Sequence, residues 1–144
     1  MKTMTVDTSR GQFVVRLSSD PSVKRTVEHF ERQANAGFFD GLTFHRVEPW
    51  VIQGGDPTGT GRGGGKMPAE YNRISFVRGA VGVARGPDPS LNSDSQWFVV
   101  KRDATGLDGD YTNFGMVTQG MDTVDQIRLG DKMTSVRVAA DETT

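Results

Sequence analysis

Four short segments carry the side chains of this sequence that could act on another molecule. They are Phe44-His45-Arg46-Val47, Trp50-Val51-Ile52-Gln53-Gly54-Gly55-Asp56, Ser95-Gln96-Trp97-Phe98, and Leu107-Asp108-Gly109 with Phe114-Gly115. Each sets large apolar groups beside one strong hydrogen-bond donor or an amide, and none supplies a nucleophile. Such a set suits gripping a peptide next to an apolar ring. Part of it reads as ordinary interior, since Phe44, Trp97 and Phe114 are expected in the core. Arg46 resists that reading, because a charge almost never points into a core unpaired.

Other chemistries are excluded by residue type. The absence of Cys removes a thiol nucleophile, a disulfide framework and thiolate metal centres, and two His leave little for a metal site. Ser and Thr are abundant, yet no G-x-S-x-G elbow occurs. The loop aspartates Asp56, Asp88, Asp94, Asp108 and Asp110 lack calcium-loop spacing and are expected to bond their own backbone in turns. His45 among hydrophobes reads as a satisfied core histidine, and His29 as a residue on an exposed helix face.

Gly59-Thr60-Gly61-Arg62-Gly63-Gly64 matches G-x-G-x-x-G, but Pro57 and Pro68 bracket a non-helical segment, so no helix N-terminus is available to a pyrophosphate. A Walker loop fails too, with Thr60 in place of the first glycine and Met67 in place of the magnesium-binding hydroxyl. No cofactor is expected. Seven of the 18 Gly fall between Gly54 and Gly65, and the segment reads as a loop folded over a sheet.

The elements that must position these residues are mostly strands. Thr3 to Thr8 and Gln12 to Leu17 form a hairpin around Ser9-Arg10-Gly11. Asp20-Pro21 caps a helix whose apolar positions Val23, Val27, Phe30 and Ala34 recur at helical spacing until Gly37. Its charges Lys24, Arg25, Glu28, Glu31 and Arg32 read as a solvated face. Alternation from Leu42 to Val47 places Leu42, Phe44 and Arg46 on one face of a strand that breaks at Glu48-Pro49 and resumes from Trp50 to Gln53. Further strands are expected at Gly79 to Ala84, Gln96 to Lys101, Phe114 to Thr118 and Ser135 to Ala139, with a short helix from Asp122 to Leu129. Many short strands and two helices predict a closed or sandwich-like β architecture with the helices over its open ends.

Size and charge bound the rest. A chain of 144 residues predicts one domain, here 1–140, followed by a polar C-terminal tail, 141–144. With 17 Lys+Arg against 18 Asp+Glu, the net charge of −1 lacks the electrostatic footprint of a nucleic-acid binder. No stretch approaches the roughly 18 apolar residues of a membrane span, and the first residues hold no apolar leader-like run. The reading is of a cytoplasmic monomer without nucleic-acid or membrane partners.

The segments F-H-R-V-x-P-W-V-I-Q-G-G-D-P-T-G-T-G, S-Q-W-F-V and L-D-G-x-Y-x-x-F-G-x-V, in this order, resemble the cyclophilin family of peptidyl-prolyl cis/trans isomerases in its compact bacterial form. The resemblance runs from the first hairpin to Val138. It implies a mainly β fold, a closed antiparallel eight-stranded β-barrel capped by two α-helices, with the substrate groove on the barrel's outer face. It implies that Arg46 is the catalytic arginine and Gln53 the glutamine that positions it. Trp50, Val51, Phe98 and Leu107 correspond to the proline pocket, and Ala84, Arg85 and Gln96 to the wall that meets the residues before proline. Tyr111 stands where many members carry histidine. The implied partners are proline-containing peptides and unfolded or partly folded protein clients.

The pattern also departs from the family. Arg46 to Gln53 is one residue shorter than the usual R-x-x-P-G-F-M-x-Q, lacking the glycine before the aromatic. Arg85 to Ser95 is slightly longer than usual, and Gly106 replaces the tryptophan that precedes L-D-G in eukaryotic members, which implies weak binding of cyclosporin. A protein of another class, a non-catalytic binding module or chaperone for proline segments, could use the same groove. The presence of both Arg46 and Gln53 favours turnover.

Overall fold

The computed structural model describes residues 1–140, so the expected tail at 141–144 lies outside the described residues. The first hairpin forms as β1 (Lys2–Thr8) and β2 (Gly11–Leu17), with Val6 opposite Phe13 and Met4 opposite Val15. Asp20 accepts a hydrogen bond from Ser22 N and Pro21 opens a single 3₁₀ turn, which leads into α1 (Lys24–Asn35). Val23, Val27, Phe30 and Ala34 are buried, as their spacing requires.

The remaining strands are β3 (Arg46–Glu48), β4 (Val51–Gly54), β5 (Lys66–Pro68), β6 (Ala80–Val83), β7 (Leu91–Ser93), β8 (Trp97–Val100), β9 (Asn113–Gln119) and β10 (Met133–Ala140). A one-and-a-half-turn helix, α2 (Met121–Gln126), precedes the last strand and ends earlier than expected. Eight strands form one sheet in the order β10-β1-β2-β9-β6-β8-β4-β3, with every adjacent pair antiparallel. Strands β5 and β7 form a separate pair that the sequence did not reveal, because Lys66–Pro68 and Leu91–Ser93 are too short to show alternation.

The expectation of a closed barrel is corrected. Among the described residues the edge strands β3 and β10 share no ladder, and the eight-stranded sheet is a curled, open one. Across the gap, the chain just before β3 meets the chain entering β10 in one isolated bridge, Thr43 opposite Lys132. The strand expected from Leu42 to Val47 shrinks accordingly to Arg46–Glu48. Its supposed common face does not exist: Phe44 is buried in the core while Arg46 is exposed. The physical reason is local, since Phe44 N donates to Asp131 O and Gly130 N to Phe44 O, which bends this stretch out of a regular strand.

Two apolar clusters lie on opposite faces of the central strands. The main core gathers Phe13, Phe30, Phe39, Phe44, Ile52, Val81, Trp97, Val99 and Phe114. A smaller cluster holds Val51, Phe76, Ala80, Phe98 and Val100, with Trp50, Leu107 and Tyr111 packed against it. Along β8 the side chains alternate between the two: Trp97 and Val99 enter the core, while Phe98 and Val100 enter the second cluster. An apolar strand buried on both faces therefore creates an apolar floor on the outside of the sheet, and the site is built on that floor.

Candidate active site

The outer groove has a volume of about 610 Å³ and is lined by His45, Arg46, Trp50, Val51, Gln53, Thr60, Gly61, Ala84, Arg85, Phe98, Leu107 and Tyr111. Nine of the ten residues singled out as site residues thus meet in one place. The tenth, Gln96, lies behind them, 5% exposed, and also lines an adjoining recess of about 290 Å³ beside the glycine loop.

Arg46 and Gln53 are brought together by backbone register. The shortened segment makes Pro49-Trp50 a two-residue turn between β3 and β4, and the ladder sets Arg46 opposite Gln53, Val47 opposite Ile52 and Glu48 opposite Val51. Gln53 Oε1 accepts from Arg46 Nη1 at 3.2 Å, and Glu48 Oε2 accepts from Arg46 Nε at 2.5 Å. Both Arg46 and Glu48 are exposed enough that their ion pair orients the guanidinium more than it stabilises the fold. A guanidinium carries five N–H donors. The remaining Arg46 donors have no acceptor among the described residues and face the groove.

Trp50 sits in the turn half-buried, with Arg46 Cζ 5.5 Å from its ring centroid. The pocket floor is Phe98, stacked on Phe76 at 5.6 Å and met edge-on by Tyr111 at 5.9 Å. Gly82 opposes Phe98 in β6, and a Cβ there would lie 2.5 Å from Phe98 Cζ, so only glycine leaves room for the ring. Asp108 holds the outer edge of the pocket by accepting from Phe76 N and Ser75 Oγ, both at 2.7 Å. Arg85 lies over Tyr111 at 4.5 Å and donates to Asp110 O, which fixes the far wall.

An amide relay runs inward from Arg46. Gln53 Nε2 donates to Gln96 Oε1 at 3.1 Å, and Gln96 Nε2 donates to Gly61 O at 3.1 Å and Gly63 O at 3.2 Å. Both carbonyls belong to the glycine loop, which folds over the sheet as expected. The expectation that its aspartate merely caps a local turn is too modest. Asp56 is 1% exposed and accepts from Thr58 N, Thr58 Oγ1, Gly61 N and Gly63 N. Burial works to raise its pKa, but these donors outweigh it and hold the carboxyl well below the usual carboxylate range.

Sequence reasoning also misplaced the histidines. His45 is not a satisfied core residue; it is half-buried, lines the groove, and its buried Nδ1 has no partner among the described residues. Burial lowers its pKa, the Asp56 charge and the neighbouring Gln96 side chain oppose that, and Arg46 adds to the lowering. His29 is likewise half-buried, with Nε2 2.7 Å from Asp94 O in the approach to β8. The groove residues Thr60 and Gly61 were not foreseen; their one sequence signal was the glycine density that bends this loop back over the strands.

Comparison with known proteins agrees with this geometry. Residues 3–143 match the family described as cyclophilin type peptidyl-prolyl cis-trans isomerase/CLD. Peptidyl-prolyl cis-trans isomerase B of Bacillus subtilis is 44% identical over 119 residues, covering 78% of this chain and 81% of that protein. A peptidyl-prolyl cis-trans isomerase of Synechococcus elongatus is 36% identical over 127 residues, 85% of this chain and 86% of that one. The fold is also that of a Cryptosporidium parvum cyclophilin-type isomerase, solved in the presence of the dipeptide Ala-Pro, with a TM-score of 0.87 at 22% identity over 96% of this chain and 99% of that chain. An arginine paired with a glutamine over an external apolar pocket, on a chain matched almost from end to end, leads to one conclusion: the protein belongs to the cyclophilin-type peptidyl-prolyl cis-trans isomerase family.

Proposed function

We propose that the outer groove catalyses cis/trans isomerisation of Xaa–Pro bonds in peptides and in unfolded or partly folded proteins. The observation that carries this reading is the Arg46 guanidinium, oriented by Gln53 and Glu48 at the rim of the Trp50, Val51, Phe98 and Leu107 pocket. Rotation about Xaa–Pro is slow because it destroys amide resonance, with a barrier of roughly 20 kcal/mol. No covalent step is needed to lower it. The prolyl nitrogen of a planar amide has no lone pair to offer, whereas in the twisted state it becomes pyramidal and can accept a hydrogen bond.

A donor placed at that nitrogen therefore binds the twisted state better than either planar ground state, and only such differential binding accelerates the reaction. Arg46 has the free N–H groups to be that donor. The apolar pocket holds the proline ring, while Gln53, Ala84 and Arg85 line the path of the residues before it, so rotation is confined to one bond. Each ~1.4 kcal/mol gained in the twisted state alone is worth tenfold in rate.

Exchange NMR on a short Xaa-Pro peptide with catalytic amounts of protein tests the proposal. Exchange between cis and trans resonances, accelerated in proportion to protein concentration, supports it. Line broadening from binding without accelerated exchange would instead identify a proline-segment binding module.

A further inference from the structure

The glycine loop contains a buried charge that the reaction itself does not use. Asp56 is 1% exposed, makes no ion pair among the described residues, and spends its acceptor capacity on the loop: Oδ1 on Thr58 N and Thr58 Oγ1, Oδ2 on Gly61 N and Gly63 N. A buried carboxylate is costly unless its oxygens are fully engaged, so the loop backbone is shaped around this side chain. The same two residues whose N–H groups bind Asp56 turn their carbonyls to Gln96 Nε2. Gln96 is 5% exposed and passes its orientation on through Gln53 to Arg46.

A glutamine amide can sit either way round. In this relay Gln96 must present Nε2 to two carbonyls, so its Oε1 must face Gln53. Gln53 is then obliged to present Nε2 to Gln96 and Oε1 to Arg46. The direction of every amide in the chain therefore depends on the two carbonyls that the Asp56-bound loop holds in place. We propose that Asp56 is a positioning residue for Arg46, acting through Gly61 and Gly63, Gln96 and Gln53. The inference rests on the isomerase reading of the groove and extends it to a residue that touches neither substrate nor Arg46.

Asp56→Asn tests this without altering size. Its amide can still accept from Thr58, but it turns a donor toward Gly61 N and Gly63 N, which repels the loop. Expected is a fall of at least fivefold in kcat/KM for an Ala-Pro-containing peptide, borne by kcat more than by KM, with shifts in the Gln96 Nε2 and Arg46 Nε resonances. In a Gln96→Ala background the same substitution should cost less than twofold, because the path is already cut. Gly63→Ala provides a second route that keeps the carboxylate: a Cβ there would come within 2.2 Å of Asp56 Oδ1 and push the loop away. It should reproduce the loss if Asp56→Asn does not fold.

Equal losses with and without Gln96, or wild-type kcat in a folded Asp56→Asn protein, overturn the proposal. A kcat loss with unmoved Gln96 and Arg46 resonances overturns it as well, since the effect would then travel by another route. Absence of turnover in the wild type overturns the isomerase reading instead and removes the basis of the proposal. Asp40→Asn, which breaks the Arg137 pair remote from the groove, serves as a folded control with unchanged kcat/KM.

Discussion

Gln53 stands directly opposite Arg46 across the β3–β4 hairpin, and its Oε1 lies 3.2 Å from Arg46 Nη1. The contact is set by register, because a two-residue turn leaves no slack between the strands, and cross-strand neighbours on one face meet without either chain having to reach. Gln53 uses its other amide end on Gln96, so it cannot rotate freely to release the guanidinium.

Removing the guanidinium should remove most turnover and leave the fold intact, since Arg46 is exposed and its ion pair with Glu48 lies at the surface. Arg46→Ala is expected to lower kcat/KM at least tenfold. Arg46→Lys should recover little, because an ammonium cannot serve Gln53, Glu48 and the substrate at once with fixed geometry. Peptide exchange rates with matched far-UV circular dichroism provide the check. Parent-like turnover in both variants would remove Arg46 from the mechanism.

The pocket floor should be intolerant of a single methyl group. In Gly82→Ala the new Cβ would meet Phe98 and Phe76 well inside contact distance, so the stacked rings must move. Overpacking of this kind costs about 1–3 kcal/mol of stability. The displaced Phe98 should also raise KM for prolyl peptides. Chemical denaturation and peptide kinetics on the same protein read both effects, and a variant with unchanged KM would mean that Phe98 does not bound the proline site.

The pH dependence follows from His45. Its pKa is lowered by burial, so the native protein takes up the proton less readily than the unfolded chain, where histidine titrates near 6.5. Between the lowered value and about 6.5 the unfolded state binds more protons, and stability therefore rises with pH through that window. It is full above about 6.5 and falls as the pH drops below it. Turnover should stay nearly flat from about pH 6 to 8.5, since arginine does not titrate there. Melting temperatures across pH 4.5 to 7.5 should show a slope that His45→Gln reduces. A kcat/KM limb near pH 6.5 that His45→Gln abolishes would instead make the imidazole part of the chemistry.

Gly106 gives a test of ligand reach. It lies exposed in the 3₁₀ turn Thr105–Leu107, with open space where a side chain would project. The family resemblance implies that a tryptophan at this position would offer cyclosporin an indole donor and an apolar face, and glycine offers neither. Loss of such an anchor typically costs about 2 kcal/mol or more. Calorimetry should find weak cyclosporin binding in the parent, at least fivefold tighter in Gly106→Trp, with little change in kcat/KM. Tight binding by the parent, or no gain in the variant, would place the anchoring position elsewhere.

Much of this protein could be read from local pattern. The hairpin of β1 and β2, the capped helix with Val23, Val27, Phe30 and Ala34 inward, and the strands around Val81, Val99 and Phe114 follow from periodicity and turn chemistry, which act over a few residues. The groove residues were legible through the family resemblance carried by the F-H-R-V and S-Q-W-F-V segments. What tertiary structure alone decided depends on partners distant in the chain. The bend that buries Phe44 and exposes Arg46 is imposed by Gly130 and Asp131, and the open edge between β3 and β10 follows from how that bend meets the last strand. The Nδ1 of His45, unpartnered among the described residues, and the engagement of Asp56 by Gly61 and Gly63 depend on how the glycine loop closes over β4 and β8. A residue's type limits which bonds it can make, but burial and the arrival of remote backbone determine which ones it does make.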